Sequence, residues 1–395
     1  MKTCAIISEF NPFHNGHKLL VDWAKENGAD KTIAIMSGSF LQRGQPSLFS
    51  KFARTKCALE NGIDLVIELP VIYANSSANI FAYGGVDIAN KTGVVDTLIF
   101  GSECGKIESL YNVLEVMDSD IFKMSLKKEL DLGKSYARAC NDTINKISPD
   151  LAYILKTANN TLALEYIRAL IKTQSTIKAE TLTRQGAMHD TNQISDNIAS
   201  ASHIRDLICN KQSYNALLPK STFDILQEEI NNNRIINFNN FEKTLYYKLV
   251  SMSKDNLKDL PDVIEGLENR LYKAIRNNSN ITDIIDDIKT KRYTTARIRR
   301  ILMCAYIGIT KENITKNAPY IRVLGFNENG KSILKDMKEK ANVPIITKIN
   351  ANKKQLTKSG LDILELDILA NDLQSINFKT PAKCGEDYYI SHIRI

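Results

Sequence analysis

Two histidines near the amino terminus have the spacing expected of a nucleotide-binding loop. His14 and His17 flank Asn15 and Gly16 in EFNPFHNGH, which follows the apolar run TCAIIS. Glycine lets the backbone approach a phosphate closely, and the amides at the start of a helix attract anions. Imidazoles beside them could donate hydrogen bonds to oxygens on which negative charge develops. The pattern predicts a site for a nucleotide α-phosphate, although an isolated HxGH is more often an ordinary surface loop or helix cap.

Two further patterns could do chemistry, and both are weaker. Residues 325–332 (GFNENGKS) match the Walker A pattern between a predicted strand and a predicted helix. Glu328 would place a carboxylate inside the phosphate cradle, and only 63 residues follow Ser332, so we do not expect a working P-loop. His189 beside Asp190 could be a catalytic dyad, but such neighbours more often form a local hydrogen bond.

The elements around the histidine loop alternate between strand and helix. Nearly continuous apolar runs predict buried strands at residues 3–8, 32–37, 64–69, 96–100 and 176–182. Helical periodicity is present at residues 17–27 and 49–61, which end at Gly28 and Gly62, and at about 160–172. This order predicts an α/β fold with a doubly wound parallel sheet. The histidine loop should lie at its carboxyl edge, where ligands of such sheets bind.

Length and charge divide the chain further, since 395 residues are too many for one core of usual size. We expect a catalytic domain at residues 1–210, a helical domain at 211–317 and a small C-terminal α/β unit at 318–395. Residues 1–200 carry 21 basic and 22 acidic groups, whereas residues 201–395 carry 31 and 23. A half with net charge +8 beside one with −1 indicates a polyanionic partner.

The densest basic cluster lies in the helical part, around KTKRYTTARIRR. Basic side chains neutralise phosphates, and an aromatic neighbour such as Tyr293 can stack on a base. A charge run alone is usually a solvated helix face, but its place in the positive half predicts an RNA-binding surface. The residues assigned to it are Lys291, Arg292, Arg297, Arg299 and Arg300, with Lys289 beside them.

The sequence also suggests a cellular compartment. Seven cysteines without a CxxC pair are typical of reduced thiols, and no zinc or other metal site of the protein itself is expected. The first residues lack a secretory signal, and the longest uncharged stretch, 69–86, contains proline, glycine and several polar residues. We expect a cytoplasmic protein without a membrane span or a stable protein partner.

Several long motifs occur together in one order: EFNPFHNGH, MSGSFLQRGQPSLFSKFARTKCAL, DLVIELP, SSANIFAYGGV, FGSE and NNTLALEYIRAL. They resemble the nucleotidyltransferases of the HIGH superfamily, which have a Rossmann-like catalytic domain, and within it the tRNA(Met) cytidine acetate ligase family. The resemblance covers at least residues 1–210 and continues less densely through KRYTTARIRRIL and residues 322–326.

This resemblance implies that ATP, accompanied by Mg²⁺, activates acetate to acetyl adenylate. The acetyl group then passes to N4 of the wobble cytidine, position 34, of elongator tRNA(Met) and forms N4-acetylcytidine. One alternative is a HIGH-superfamily adenylyltransferase or acetate ligase that acts on a small molecule or a protein prosthetic group. Another is a tRNA-binding protein that has lost catalysis, against which the presence of both histidines argues.

The resemblance also implies site residues. His14 and His17 are catalytic, Gly101 lies under the nucleotide, and Asn159, for which Asn160 is an alternative, completes the pocket with Arg184. In IASASHIR, Ser202 caps a helix and Arg205 faces the β- and γ-phosphates, although Ala199 stands where the wider superfamily commonly has serine. The loop residues that line ATP are Ile7, Ser8, Glu9, Phe10, Asn11, Pro12, Phe13, His14, Asn15, Gly16, His17 and Lys18.

Overall fold

The computed structural model describes residues 1–184 and 197–395. The pair His189–Asp190 lies outside the described residues. The strands are β1 (Thr3–Ser8), β2 (Lys31–Ser37), β3 (Phe40–Leu41), β4 (Gln45–Pro46), β5 (Leu65–Leu69), β6 (Thr97–Ser102), β7 (Lys178–Thr183), β8 (Ile321–Phe326), β9 (Ile345–Ile346) and β10 (Ile393–Arg394).

Helices surround these strands. In the first half they are α1 (Asn15–Glu26), α2 (Lys51–Glu60), α3 (Val71–Ala74), α4 (Ala78–Thr92), α5 (Ile107–Asp118), α6 (Asp120–Asp131), α7 (Tyr136–Ile147), α8 (Ala158–Lys172) and α9 (Ala201–Cys209). In the second half they are α10 (Lys220–Asn231), α11 (Glu242–Val250), α12 (Lys254–Lys258), α13 (Leu267–Asn277), α14 (Ile281–Ile288), α15 (Thr295–Ile307), α16 (Glu328–Lys340), α17 (Ile349–Asn352), α18 (Lys358–Ser375) and α19 (Glu386–Tyr389).

The central sheet confirms the predicted α/β fold. Its strand order is β10-β8-β5-β2-β1-β6-β7, with β9 also paired to β8. Neighbouring strands run parallel except β5 and β8, which are antiparallel. Side chains alternate between the faces, so Ile33 and Ile35 of β2 enter one apolar core while Ala34 and Met36 enter the other. Burial on both faces explains why the strands read as continuous apolar runs.

Helix boundaries are set by caps that the sequence contains. Helix α1 begins two residues before the predicted start because His14 occupies its N-cap. Helix α2 begins at Lys51 because the Ser50 hydroxyl accepts a hydrogen bond from the Ala53 amide at 3.1 Å. The loop after β1 follows the last residue of a parallel strand, so it lies at the carboxyl edge of the sheet, as predicted. Among the described residues, no helix is both long and apolar enough to cross a membrane.

The C-terminal segment contributes to the same sheet, since β8 pairs with β5 and β10 pairs with β8. A buried ionic cluster of Lys51, Glu68, Arg322 and Asp387 joins the two parts of the chain. Lys51 Nζ lies 2.8 Å from carboxylate oxygens of Glu68 and Asp387, and Arg322 Nη1 lies 2.9 Å from Glu68. Residues 211–317 are largely helical, but the division at residues 210 and 317 stays a prediction.

Candidate active site

A cavity of about 210 Å³ opens at the carboxyl edge of the sheet, beside the loop between β1 and α1. Segments distant in sequence enclose it: that loop, the β3–β4 hairpin, β6, α8, the end of β7 and the start of α9. The lining residues are Ile6, Ile7, Ser8, Glu9, Phe10, Asn11, His14, His17, Leu20, Gln42, Arg43, Phe81, Phe100, Gly101, Asn159, Leu162, Tyr166, Arg184, Ser200, Ala201, Ser202 and Arg205.

Both histidines are held by backbone amides through Nδ1. The Nδ1 atom of His14 accepts a hydrogen bond from the Gly16 amide at 3.0 Å, and that of His17 accepts one from the His14 amide at 3.3 Å. The rings stack with their centroids 3.8 Å apart. A neutral imidazole carries hydrogen on one nitrogen only, so an accepting Nδ1 leaves the proton on Nε2. Both rings therefore carry Nε2–H donors at the cavity.

Gly16 is required by this arrangement. A Cβ atom at position 16 would lie 2.9 Å from Cε1 and 3.1 Å from Nδ1 of His14. The His14 ring could not then fold back over the helix start and accept from the Gly16 amide. The glycine of HxGH therefore makes room for the capping imidazole.

Burial keeps the two imidazoles neutral. Desolvation lowers the pKa of His14 well below its ordinary value, and the nearby His17, Arg184 and Arg205 lower it further. Burial, with a smaller contribution from Arg184, lowers the pKa of His17 to about 3. Near pH 7 the histidines are therefore uncharged hydrogen-bond donors, and the arginines supply the positive charge of the cavity.

Glu103 orients the asparagine at the start of α8. Its carboxylate accepts hydrogen bonds from the Asn159 side chain at 2.7 Å, the Asn160 amide at 2.8 Å and the Thr157 hydroxyl at 2.9 Å. Burial alone would raise the pKa of Glu103, but these hydrogen bonds outweigh it and lower the pKa. Asn159 in turn accepts a hydrogen bond from Arg184 Nη1 at 3.3 Å, so the three side chains form one chain of contacts.

The two candidate asparagines differ in their surroundings. Asn160 is fully buried, and its Oδ1 accepts hydrogen bonds from the backbone amides of Glu103 and Cys104 at 2.9 and 3.1 Å. Asn159 lines the cavity instead. The geometry therefore favours Asn159 as the residue available to a ligand.

The start of α9 corrects one expectation. Ser200, rather than Ser202, caps this helix: its hydroxyl accepts a hydrogen bond from the His203 amide at 3.2 Å. Because the helix begins at Ala201, Ser202 lies in its first turn and lines the cavity. Arg205, one turn further on, also lines the cavity and donates from Nη1 to the Asn11 carbonyl oxygen at 2.9 Å.

Part of the predicted loop faces away from the cavity, because only one face of α1 points towards it. Phe13 is fully buried in a core cluster. The Asn15 side chain donates to two backbone carbonyl oxygens at 2.9 Å, and Lys18 pairs with Asp22 along the helix. Gly16 borders a small adjoining space with His14 and His17. The predicted residues that do not line the cavity beside the loop are Pro12, Phe13, Asn15, Gly16 and Lys18.

Sequence reasoning missed the β3–β4 hairpin and much of the apolar wall. Gln42 and Arg43 at the hairpin tip line the cavity, and the Gln42 amide donates to Glu9 Oε1 at 3.0 Å. Phe100 and Tyr166 form part of the wall, with ring centroids 5.5 Å apart. The two-residue strands of the hairpin leave no periodic pattern, so only the residue types in LQRGQ could have indicated it.

The cavity offers little to a resident metal ion. Within residues 1–184 and 197–395, no group of three or more His, Cys, Asp or Glu side chains could hold one. Glu9 carries the carboxylate among the lining residues. Mg²⁺ commonly keeps several waters and binds through one or two carboxylates together with substrate phosphates. The residues present would fit an ion that arrives with ATP, and Glu9 is the carboxylate that could contact it.

The residues of the Walker-like segment, 325–332, make contacts within the protein. Asn327 caps α16 by accepting from the Gly330 amide at 2.9 Å. A Cβ at Gly330 would lie 2.0 Å from the Asp64 carbonyl oxygen, so this glycine permits close packing against the chain before β5. Lys331 Nζ lies 3.4 Å from Glu328. The sequence match thus has a structural explanation that needs no phosphate.

The basic cluster lies at and just before the start of α15, and most of its arginines have contacts within the protein. Arg297 donates to the Asp262 carbonyl oxygen at 2.9 Å, and Arg299 lies over the Phe238 ring at 4.7 Å. Arg300 donates to the Gln42 carbonyl oxygen at 3.4 Å. Lys291 and Arg292 are exposed, although Arg292 pairs with Glu265 at 2.5 Å. RNA binding by this cluster stays a prediction.

Comparisons with known proteins agree with this fold. The family model for HIGH nucleotidyl transferases matches residues 1–387. The tRNA(Met) cytidine acetate ligase of Clostridium novyi is 38% identical over 381 residues, 93% of each chain. That of Thermoanaerobacter sp. strain X514 is 38% identical over 398 residues, 98% of each chain.

Solved structures extend the similarity to three dimensions. Apo TmcAL of Thermotoga maritima superposes with a TM-score of 0.94 at 33% identity, and the match covers 100% of both chains. The same protein bound with α-thio ATP gives a TM-score of 0.92. The chain belongs to the HIGH nucleotidyl transferase family and, within it, to the tRNA(Met) cytidine acetate ligases, a family of enzymes.

Proposed function

We propose that this chain activates acetate with ATP and acetylates a cytidine of tRNA. In detail, the acetyl group would pass through acetyl adenylate to N4 of the wobble cytidine, position 34, of elongator tRNA(Met), forming N4-acetylcytidine. The observation that carries the proposal is one cavity in which two neutral imidazole donors, His14 and His17, stand beside the guanidinium groups of Arg184 and Arg205. The similarity over nearly the whole chain to ligases named for this reaction supports it.

The first step asks these residues to stabilise charge at phosphorus. A carboxylate oxygen of acetate attacks the α-phosphorus of ATP, the bond to the bridging oxygen breaks, and pyrophosphate leaves. The Nε2–H groups of His14 and His17 would donate to the non-bridging oxygens as charge builds there. Arg205 and Ser202, at the first turns of α9, would meet the leaving phosphates, where the helix amino terminus also favours negative charge.

The second step transfers the acetyl group. The N4 amine of cytidine attacks the carbonyl carbon of acetyl adenylate, the bond to the AMP phosphate oxygen breaks, and the amine releases a proton to solvent. The energy of the mixed anhydride drives this step, so no covalent bond to the enzyme is required. We infer that the acceptor reaches the cavity from the side of the basic residues at α15.

Mg²⁺ is part of the proposal as the companion of ATP, and Glu9 is the residue that would contact it. The ion would neutralise charge on the triphosphate and orient it. Because both ATP and tRNA are found there, we infer that the enzyme works in the cytoplasm.

The test is incubation of the protein with ATP, ¹⁴C-acetate and total tRNA, followed by nucleoside analysis. We expect label in N4-acetylcytidine and acetate-dependent pyrophosphate release without tRNA. Label in a small molecule or a protein would instead favour the alternative acceptor. Binding of tRNA without pyrophosphate release would indicate a protein that binds RNA but has lost catalysis.

A further inference from the structure

The tip of the β3–β4 hairpin is attached to the nucleotide loop on one side. The Gln42 amide donates to the Glu9 carboxylate at 3.0 Å, and Gln42 and Arg43 both line the cavity. Glu9 directly follows β1 and its carbonyl oxygen accepts from the buried Arg54 at 2.7 Å. The hairpin tip is therefore held against the part of the site that would contain the adenylate.

On its other side the same tip packs against the first turns of α15. Gly44 has φ +68°, and a Cβ there would lie 2.3 Å from the Arg300 amide nitrogen and 2.4 Å from the Arg299 carbonyl carbon. These are backbone atoms of a helix, so they cannot rotate out of the way as a side chain could. Arg300 Nη1 also donates to the Gln42 carbonyl oxygen at 3.4 Å.

The hairpin tip, Gln42 to Gly44, thus connects the predicted RNA surface to the cavity. An RNA strand held at the start of α15 would have to cross Gln42 and Arg43 to bring a base to the adenylate. The side-chain amide of Gln42 can both donate to and accept from a base edge, and the guanidinium of Arg43 is suited to phosphate or to stacking.

We propose that the hairpin tip, Gln42 to Gly44, positions the acceptor cytidine for acetyl transfer, and that its contact with α15 sets that position. The inference rests on the proposed function. Gly44 and Arg300 are positioning residues here, since they act through the tip. An amine must approach the acetyl carbon to about 3–3.5 Å, and a displacement of about 1 Å can cost on the order of 10²-fold in rate. The transfer step should therefore be more sensitive to the tip than adenylate formation.

The experiment compares Gly44→Ala with Gly28→Ala. Gly28 also has positive φ, +89°, but a Cβ there meets nothing within 4 Å. Both variants strain the backbone, but only Gly44→Ala places a Cβ atom against α15 and so displaces the hairpin from that helix. The measurements are acetate-dependent pyrophosphate release without tRNA, the Kd for tRNA, and single-turnover acetyl transfer from enzyme loaded with acetyl adenylate.

We expect Gly44→Ala to lower acetyl transfer at least ~10-fold relative to adenylate formation, while the Kd for tRNA stays within about threefold and Gly28→Ala behaves as wild type. If Gly44→Ala does not fold, Arg300→Gln removes the hydrogen bond to Gln42 without backbone strain; because Arg300 also belongs to the predicted RNA surface, transfer by this variant is measured at saturating tRNA. Arg300→Lys keeps a donor and should recover part of the ratio of transfer to adenylate formation.

Three results would overturn the inference: unchanged transfer in Gly44→Ala, equal losses in the two steps, or a loss fully explained by weaker tRNA binding. Equal losses would assign the hairpin to ATP alone. A wild-type enzyme that forms acetyl adenylate but acetylates no tRNA would refute the proposed function itself, and the inference with it. Normal transfer by both wild type and Gly44→Ala would refute the inference alone.

Discussion

The tautomers of the two histidines lead to a prediction that separates the roles of the two ring nitrogens. In His17, Nδ1 accepts from the His14 amide at 3.3 Å, which leaves Nε2–H for the substrate. The Asn side chain can place its oxygen near the position of Nδ1, whereas Gln reaches the position of Nε2 with an amide N–H. His17→Asn should therefore keep the loop and lose the donor, and His17→Gln should keep part of the donation.

The expected magnitudes differ for activity and stability. Loss of one oriented donor to a developing oxyanion costs about 10²–10³-fold in rate, or roughly 2.7–4 kcal/mol. His17→Ala should lose this and, in addition, leave the His14 amide without its partner, at about 1–3 kcal/mol of unfolding free energy. It also removes ring contacts with Phe10 and His14, whose centroids lie 5.0 and 3.8 Å away. The fold should survive all three substitutions.

The assay is acetate-dependent pyrophosphate release without tRNA, with denaturant unfolding of each variant beside it. We expect both His17→Asn and His17→Ala to lose adenylate formation, and His17→Asn to remain the more stable of the two because it keeps an acceptor for the His14 amide. Near-normal pyrophosphate release by His17→Asn would refute the assignment of Nε2–H as a catalytic donor. A large loss of stability in His17→Asn would show that an acceptor at the position of Nδ1 does not hold the loop.

The lowered pKa of His17 predicts that the stability of the folded protein depends on pH. The unfolded chain takes up a proton on His17 as pH falls below about 6.5, whereas the folded protein does so only near pH 3. Protonation therefore favours the unfolded state between these values, and this contribution to stability is complete above pH 6.5 and lost as pH falls. His17→Asn should unfold with a weaker pH dependence between pH 7 and 5. An equal dependence in both proteins would contradict a buried neutral imidazole.

Three further predictions test other parts of the chain. Lys331→Ala should leave adenylate formation unchanged, and loss of ATP use in that variant would restore the P-loop hypothesis. Replacing the exposed Lys291 and Arg292 with glutamine should weaken tRNA binding. The slope of log Kd against log salt concentration should fall by about one unit for each phosphate that is no longer neutralised. An unchanged slope would mean that the two side chains only face solvent. Arg322→Leu leaves Glu68 and Asp387 sharing one buried lysine. Thermal unfolding should therefore show that the free energy of unfolding falls by about 3–5 kcal/mol. A smaller decrease would mean that water reaches the cluster.

The sequence predicts the features that depend on residues close together in the chain. Buried strands such as β2 read as apolar runs, and glycines or serines mark the helix ends, so the parallel sheet and the place of the histidine loop follow directly. The candidate site was predictable where its residues are close in sequence, as with His14 and His17 at spacing i and i+3. The cap of α9 was misplaced because Ser200 and Ser202 are chemically equal caps, and only the helix start distinguishes them.

Long-range contacts could not be predicted in this way. Strand β8 pairs antiparallel with β5 across more than 250 residues, and nothing in either segment specifies that partner. Nothing in the sequence indicates that Arg322 and Glu68 form a buried ion pair, because only the sheet brings them together. The hairpin tip was missed for the same reason, because Gln42 becomes a site residue only through its contact with Glu9.

The two kinds of donor in the cavity are suited to different parts of the first reaction step. Under the proposed function, the charged guanidinium groups of Arg184 and Arg205 would attract the triphosphate before reaction, so their contribution would be shared by bound ATP and the transition state. The imidazoles of His14 and His17 are neutral, and their attraction to the α-phosphate would grow as charge develops there. Interactions that are stronger in the transition state raise kcat, whereas shared ones lower KM. Under the proposed function, two uncharged histidines would therefore raise kcat without tightening the binding of ATP as charged imidazoles would, and their burial is what keeps them uncharged.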